Sequence, residues 1–158
     1  MAQVSPPDEE SWNSWTARLA SELGSLGPDA WMTLAVHVDS AAAAAQDRDR
    51  TRKGWRRALS PPPAVLRVPD VFLQVRVLEG VLALECIGDA EFEGLTDLTD
   101  QQQESLMALG WVRDGGDPDF STIFAVEQAG EAAALLATTL RGTLGAPAPS
   151  AVDIRRSP

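Results

Sequence analysis

Cys86 and His37 are the only thiol and the only imidazole in a chain of 158 residues, so nucleophilic catalysis would have to pair them, because a thiolate needs a neighbouring base or cation at neutral pH. The residues around them keep the two apart. Cys86 shares a period-two face with Leu82 and Leu84, whereas His37 alternates with Met32, Leu34 and Val36, so one points into a core and the other away from it. Glu85, Glu91 and Glu93 lie close in sequence, but acid–base work needs two environments with separated pKa values, which spacing alone does not supply. One His and one Cys cannot build a zinc site, and Asp114, Asp117 and Asp119 lack the spacing and closing Glu of a calcium loop. Gly115-Gly116 sits between aspartates that would repel phosphate. We expect no catalytic residue, no metal and no cofactor, and therefore no enzyme; a small-molecule enzyme using Glu85 or Cys86 would require a concave polar pocket around them.

The charge is strongly segregated. Against a net charge of -10, Arg48, Arg50, Arg52, Lys53, Arg56, Arg57 and Arg67 fall in a window holding one acid, Asp49, which leaves that window at +6 and the remainder at -16. Glu79 to Glu104 forms the opposite pole, with acids and no basic residue between them. Nucleic acid is a poor partner for so acidic a surface unless cations concentrate locally. The basic window reads first as a solvated loop, with an arm for an anionic partner or a lid on the acidic pole as the sharper alternatives.

Positioning elements follow from the apolar spacing. Ser5, Pro6, Pro7 and Asp8 suit a helix start, and Trp12, Trp15, Leu19 and Leu23 recur on one helical face until Gly24, Gly27 and Pro28. Trp31 to Val38 alternates as a half-buried strand, with Trp31, Thr33, Ala35 and His37 on the second side. Ser40 to Pro69, rich in Ala, then Arg, then Pro, breaks the pattern and reads as an insertion, partly helical or extended. Val71, Leu73, Val75 and Val77 alternate, Glu79-Gly80 turns the chain, and Val81 to Ile87 returns as the second strand of a hairpin. Thr99 and Gln102 form a capping box for a short helix closed by Gly110. Trp111-Val112 and Phe120 to Val126 bracket an acidic hairpin tip, and Ala129, Ala132, Ala133, Leu136, Leu140 and Leu144 make a last helical stripe up to Gly145 and Pro147.

The predicted fold is α+β: an antiparallel sheet of about five strands packed with three helices, in the order α-β-β-β-α-β-β-α, as a two-layer sandwich with a basic loop or helix inserted between strands one and two. One domain spans 1–158, with a core over 5–150, an Arg/Pro-rich insertion over 40–69 and a flexible tail over 150–158. No apolar stretch approaches the ~20 residues of a spanning helix. Met1 to Glu10 lacks a basic and an apolar leader region, and a lone cysteine suits a reducing compartment, so a cytoplasmic location is expected.

What remains is surface for another polypeptide. The second face of the Val71 to Val77 strand carries Phe72, Gln74 and Arg76, a mixed apolar and polar set, and Trp111 is a further candidate anchor. In this reading the aromatics supply area and Gln74 and Arg76 supply orientation, with Arg48, Arg50, Arg52, Lys53, Arg56 and Arg57 as a separate basic element. Two functions fit: a module that holds a client segment, or a structural or regulatory subunit of a complex.

The run Leu109-Gly110-Trp111, Phe120, Phe124, Thr139-Leu140-Arg141 and Leu144 to Pro149, with Leu73-Gln74 and Leu84-Glu85 before it, resembles the bacterial YbjN-like and type III secretion chaperone-like peptide-binding group, the TY-Chap group. The resemblance covers Val71 to Pro149 and, more loosely, Trp12 to Val38. It implies the same element order and a small acidic protein that binds client segments without ATP, often as a homodimer. The basic insertion is the departure from that pattern.

Overall fold

A computed structural model of the chain describes residues 9–36, 71–88, 98–115 and 119–158. Helix α1 runs from Trp12 to Gly24, where Ser11 caps it by accepting from the Ser14 N–H at 3.2 Å. The cap is therefore Ser11, and Glu9 and Glu10 precede the helix; the helix start expected at Ser5 to Asp8 lies outside the described residues. Trp15, Leu19 and Leu23 form its buried stripe, and Trp12 meets Trp15 edge-on with ring centroids 5.3 Å apart.

Strand β1 (Trp31–Val36) pairs antiparallel with β2 (Val71–Leu78), and β2 pairs with β3 (Val81–Gly88) in full register from Val71 opposite Gly88 to Leu78 opposite Val81. Two residues join β2 to β3. Glu79 and Gly80 both take positive φ, 47° and 82°, the type I′ geometry whose twist matches the strands it links.

Helix α2 (Asp100–Ala108) carries both halves of the expected capping box between Thr99 and Gln102. It ends in a Schellman motif: the Gly110 N–H donates to the Met107 carbonyl at 3.1 Å and the Trp111 N–H to that of Leu106 at 3.0 Å, with Gly110 at φ 97°. That motif brings its outer residue back onto the last turn, and it places the Trp111 ring inside the core with Leu106.

The short β4 (Val112–Arg113) pairs with β5 (Phe120–Ala125), which lies beside β3. Helix α3 (Ala129–Thr138) buries Ala132, Ala133 and Leu136 and continues as one wide π turn, Thr139–Thr143. The predicted stripe thus holds, but its last turn loosens. The segment expected to be a flexible tail instead forms β6 (Val152–Arg156), paired antiparallel with β1 from Val36 opposite Val152 to Met32 opposite Arg156. Only Val152 and Ile154 are apolar in it, and a strand at a sheet edge needs no more, because one side and one face meet water.

The result is α+β, as expected, with six strands rather than about five, in the order β4-β5-β3-β2-β1-β6, every neighbouring pair antiparallel. Met32, Leu34, Leu73, Val75, Leu82, Leu84 and Phe120 project from one side of the sheet into a core shared with Trp15, Leu19, Leu106 and Leu136 of the helices. The three described helices lie on that side.

Candidate functional site

Because side chains alternate across a strand, burial of Leu73, Val75 and Val77 turns Phe72, Gln74, Arg76 and Leu78 to the opposite, outward side of the sheet. Register extends this side into rows. One row runs Trp31, Arg76, Ala83, Ile123 across β1, β2, β3 and β5; the next runs Arg155, Thr33, Gln74, Glu85, Ser121, Val112 from β6 to β4. A third begins Asp153, Ala35, Phe72, Ile87.

Apolar exposure concentrates here. Among the described residues the large hydrophobic side chains that stand exposed are Trp31 (38%), Leu78 (45%), Met107 (56%), Val112 (62%) and Ile123 (67%), and all but Met107 belong to the outward side of the sheet. Large apolar side chains exposed on one sheet face, interleaved with polar ones, make that face a candidate interaction surface. Phe72 is half-buried in it, Gln74 half-buried and Arg76 exposed.

Gln74 and Arg76 act as a unit. With its amide oxygen toward Arg76, Gln74 accepts from Arg76 Nη2 at 3.0 Å and from Nε. These occupy one edge of the guanidinium, leaving the Nη1/Nη2 edge for a planar acceptor such as a carboxylate. Among the described residues the ion pairs join Arg18 to Glu10 and Glu22, and Arg156 to Glu22; Arg76 and Arg155 enter none of them.

Trp111 is not part of this surface. It is 2% exposed, and its indole Nε1–H donates to Thr139 Oγ1 at 3.0 Å, so a partner could reach it only by opening the core. The basic residues Arg48, Arg50, Arg52, Lys53, Arg56 and Arg57, together with His37, Glu91, Glu93 and Asp117, lie outside the described residues. The strand alternation that singled out Phe72, Gln74 and Arg76 missed Trp31, Leu78, Val112 and Ile123 as their neighbours. Each is legible as an outward apolar residue of its own strand, but only strand order puts them on one surface.

Cys86 is fully buried opposite Leu73 and Phe120. Burial, reinforced by the Asp119 carboxylate, pushes its thiol up to about 12, so it stays protonated and apolar in character. Among the described residues no group of three His, Cys, Asp or Glu side chains is placed to hold a metal ion. On the helical side, a groove of about 600 Å³ runs between α1 and α3, lined by Trp12, Thr16, Ala17, Ala134, Thr138 and Arg141 among others, with Arg141 the one ionisable side chain among the described residues that line it. Among the described residues no helix is long and apolar enough to cross a membrane.

A family model described as T3SS (YopN, CesT) and YbjN peptide-binding chaperone 3 matches residues 7–158. No curated protein and no solved structure matches the chain.

Proposed function

As the chain belongs to the family of T3SS (YopN, CesT) and YbjN peptide-binding chaperones, we propose that it is a non-enzymatic, chaperone-like binding module that holds a segment of a client polypeptide against the outward side of its sheet. The observation that carries this reading is the gathering of Trp31, Leu78, Val112 and Ile123 on the side bearing Phe72, Gln74 and Arg76, away from the helices. Burying such side chains against a client contributes about 25 cal/mol for each Å² of apolar area removed from water. The outer edges of β4 and β6 add main-chain donors and acceptors with which an extended segment can pair. Finer parts of the proposal are a cytoplasmic setting, which rests on the cysteine-poor composition, and a homodimer, which rests on the resemblance.

The test is affinity capture with mass spectrometry on three proteins: wild type, Trp31→Ala/Ile123→Asp, and Met107→Asp as the control for exposed apolar surface on the helical side. Circular dichroism checks that each is folded. We expect the captured polypeptides to be lost from the first variant and retained by the second. Recovery of the same polypeptides by wild type and Trp31→Ala/Ile123→Asp would overturn the assignment of the face.

A further inference from the structure

Arg76 and Arg155 share the outward side of the sheet with Trp31 between them. Arg76 is the direct cross-strand partner of Trp31 on β2. Arg155 stands on the other flank, on β6, one row along, opposite Thr33. Both arginines are exposed, and neither is held by a carboxylate among the described residues. With its amide oxygen turned to Arg76, Gln74 takes up the Nε/Nη2 edge, and no ion pair among the described residues uses the Nη1/Nη2 edge. Among the described strand residues the carboxylates of this side are Glu85, in the Arg155 row next to Gln74, and Asp153, two residues before Arg155 on β6; the Trp31 row itself carries none.

Sheet geometry fixes the spacing. Two strand steps of ~4.8 Å and one row of ~6.8 Å put the Arg76 and Arg155 backbone positions roughly 12 Å apart, with Trp31 near the line joining them. In an extended chain, side chains on one face recur every ~6.8 Å, so two that bridge ~12 Å are four residues apart with one same-face residue midway. A charge-assisted fork between a carboxylate and the open guanidinium edge is the strongest contact that Arg76 offers.

We propose that Arg76, Trp31 and Arg155 together select a client segment of the pattern acid-x-apolar-x-acid, in extended conformation, with the apolar side chain on the Trp31 ring and a carboxylate on each arginine. This rests on the reading of the face as the client-binding surface and specifies which segments it takes. In a chain of net charge -10, a pair of cations flanking an exposed aromatic gives an acidic segment a favoured place and leaves a basic segment to the rest of the surface.

Fluorescence anisotropy of labelled 12-residue peptides tests it, with cores Glu-x-Leu-x-Glu, Gln-x-Leu-x-Gln and Lys-x-Leu-x-Lys and otherwise identical composition. With wild type we expect the Glu peptide to bind at least tenfold more tightly than the Gln peptide at low salt, and the gap to narrow as salt is added. The variant Arg76→Glu/Arg155→Glu is expected to reverse the order and prefer the Lys peptide, an outcome that misfolding cannot produce. Equal binding of all three peptides, still abolished by Trp31→Ala/Ile123→Asp, would overturn the charge pattern and leave the face as the client site. Peptide binding unaffected by Trp31→Ala/Ile123→Asp would overturn both. Concentration-dependent dimerisation through Trp31 with no binding of the Glu peptide would also overturn the proposal, in favour of a second copy of the chain as occupant.

Discussion

The indole Nε1–H of Trp111 donates to Thr139 Oγ1 at 3.0 Å, and the same hydroxyl donates to the Leu135 carbonyl at 2.8 Å. This buried relay ties the start of β4 to the turn of α3 that widens into the π segment. Removing the acceptor strands a buried donor, so Thr139→Val is expected to cost about 1–3 kcal/mol, whereas Thr139→Ser keeps most of the stability. Chemical denaturation measures both; equal midpoints for Thr139→Val and wild type would show that the hydrogen bond contributes nothing.

Cys86 should be inert in the folded protein. Its pKa, raised from 9.0 to about 12, leaves almost no thiolate at pH 8, and burial excludes reagents. A disulfide reagent should label one thiol per chain only after denaturant is added. The raised pKa also means that burial of the neutral thiol contributes fully below about pH 9 and is lost as pH climbs toward 12. Fast labelling of the native protein at pH 8 would contradict this environment.

Strand β6 covers the edge of β1, packs Val152 and Ile154 against the core and brings Arg156 to Glu22 at 2.6 Å. A chain truncated after Ala151 should lose about 2–4 kcal/mol, chiefly from these two apolar side chains, since the exposed ion pair is worth little. It should also aggregate through the bared edge of β1. Unaltered thermal unfolding and solution state after truncation would return the segment to the status of a tail.

The β2–β3 turn holds Glu79 at φ 47°, a conformation that suits Asn or Gly better than Glu. Glu79→Asn should raise stability by a few tenths of a kcal/mol, and Gly80→Ala, forced to φ 82°, should lower it by about 1 kcal/mol. Opposite signs in thermal melts are the expected signature.

Much of the scaffold was legible because local rules decided it. Trp15, Leu19 and Leu23 recur at helical spacing, the β2–β3 alternation predicted both register and the burial of Cys86, and Thr99 and Gln102 announced their helix. Failures came where tertiary context outweighs local pattern. Val152 and Ile154 are two apolar residues among Asp153, Arg155 and Arg156, and nothing local distinguishes such an edge strand from a polar tail. Trp111 reads as a surface anchor by residue type alone, although Gly110 before it and Leu106 five residues back are the signature of a Schellman ending that folds the ring inward. Alternation picks out Phe72, Gln74 and Arg76 as one outward set, but placing Trp31 beside them requires β1 to lie next to β2, and placing Arg155 requires β6 to lie next to β1.

The neighbour relation of β1 and β6 carries a consequence for biosynthesis. Leu34 lies opposite Ile154, a residue made 120 positions later, so β1 can acquire its second flanking strand only once nearly all of the sequence up to Arg156 has left the ribosome. Loop closure over so long a span is slow relative to hairpin formation. Until then the Trp31 flank has Arg76 but lacks Arg155, the second of the two cations proposed to select among client segments. On that proposal, selectivity matures only with the emergence of β6.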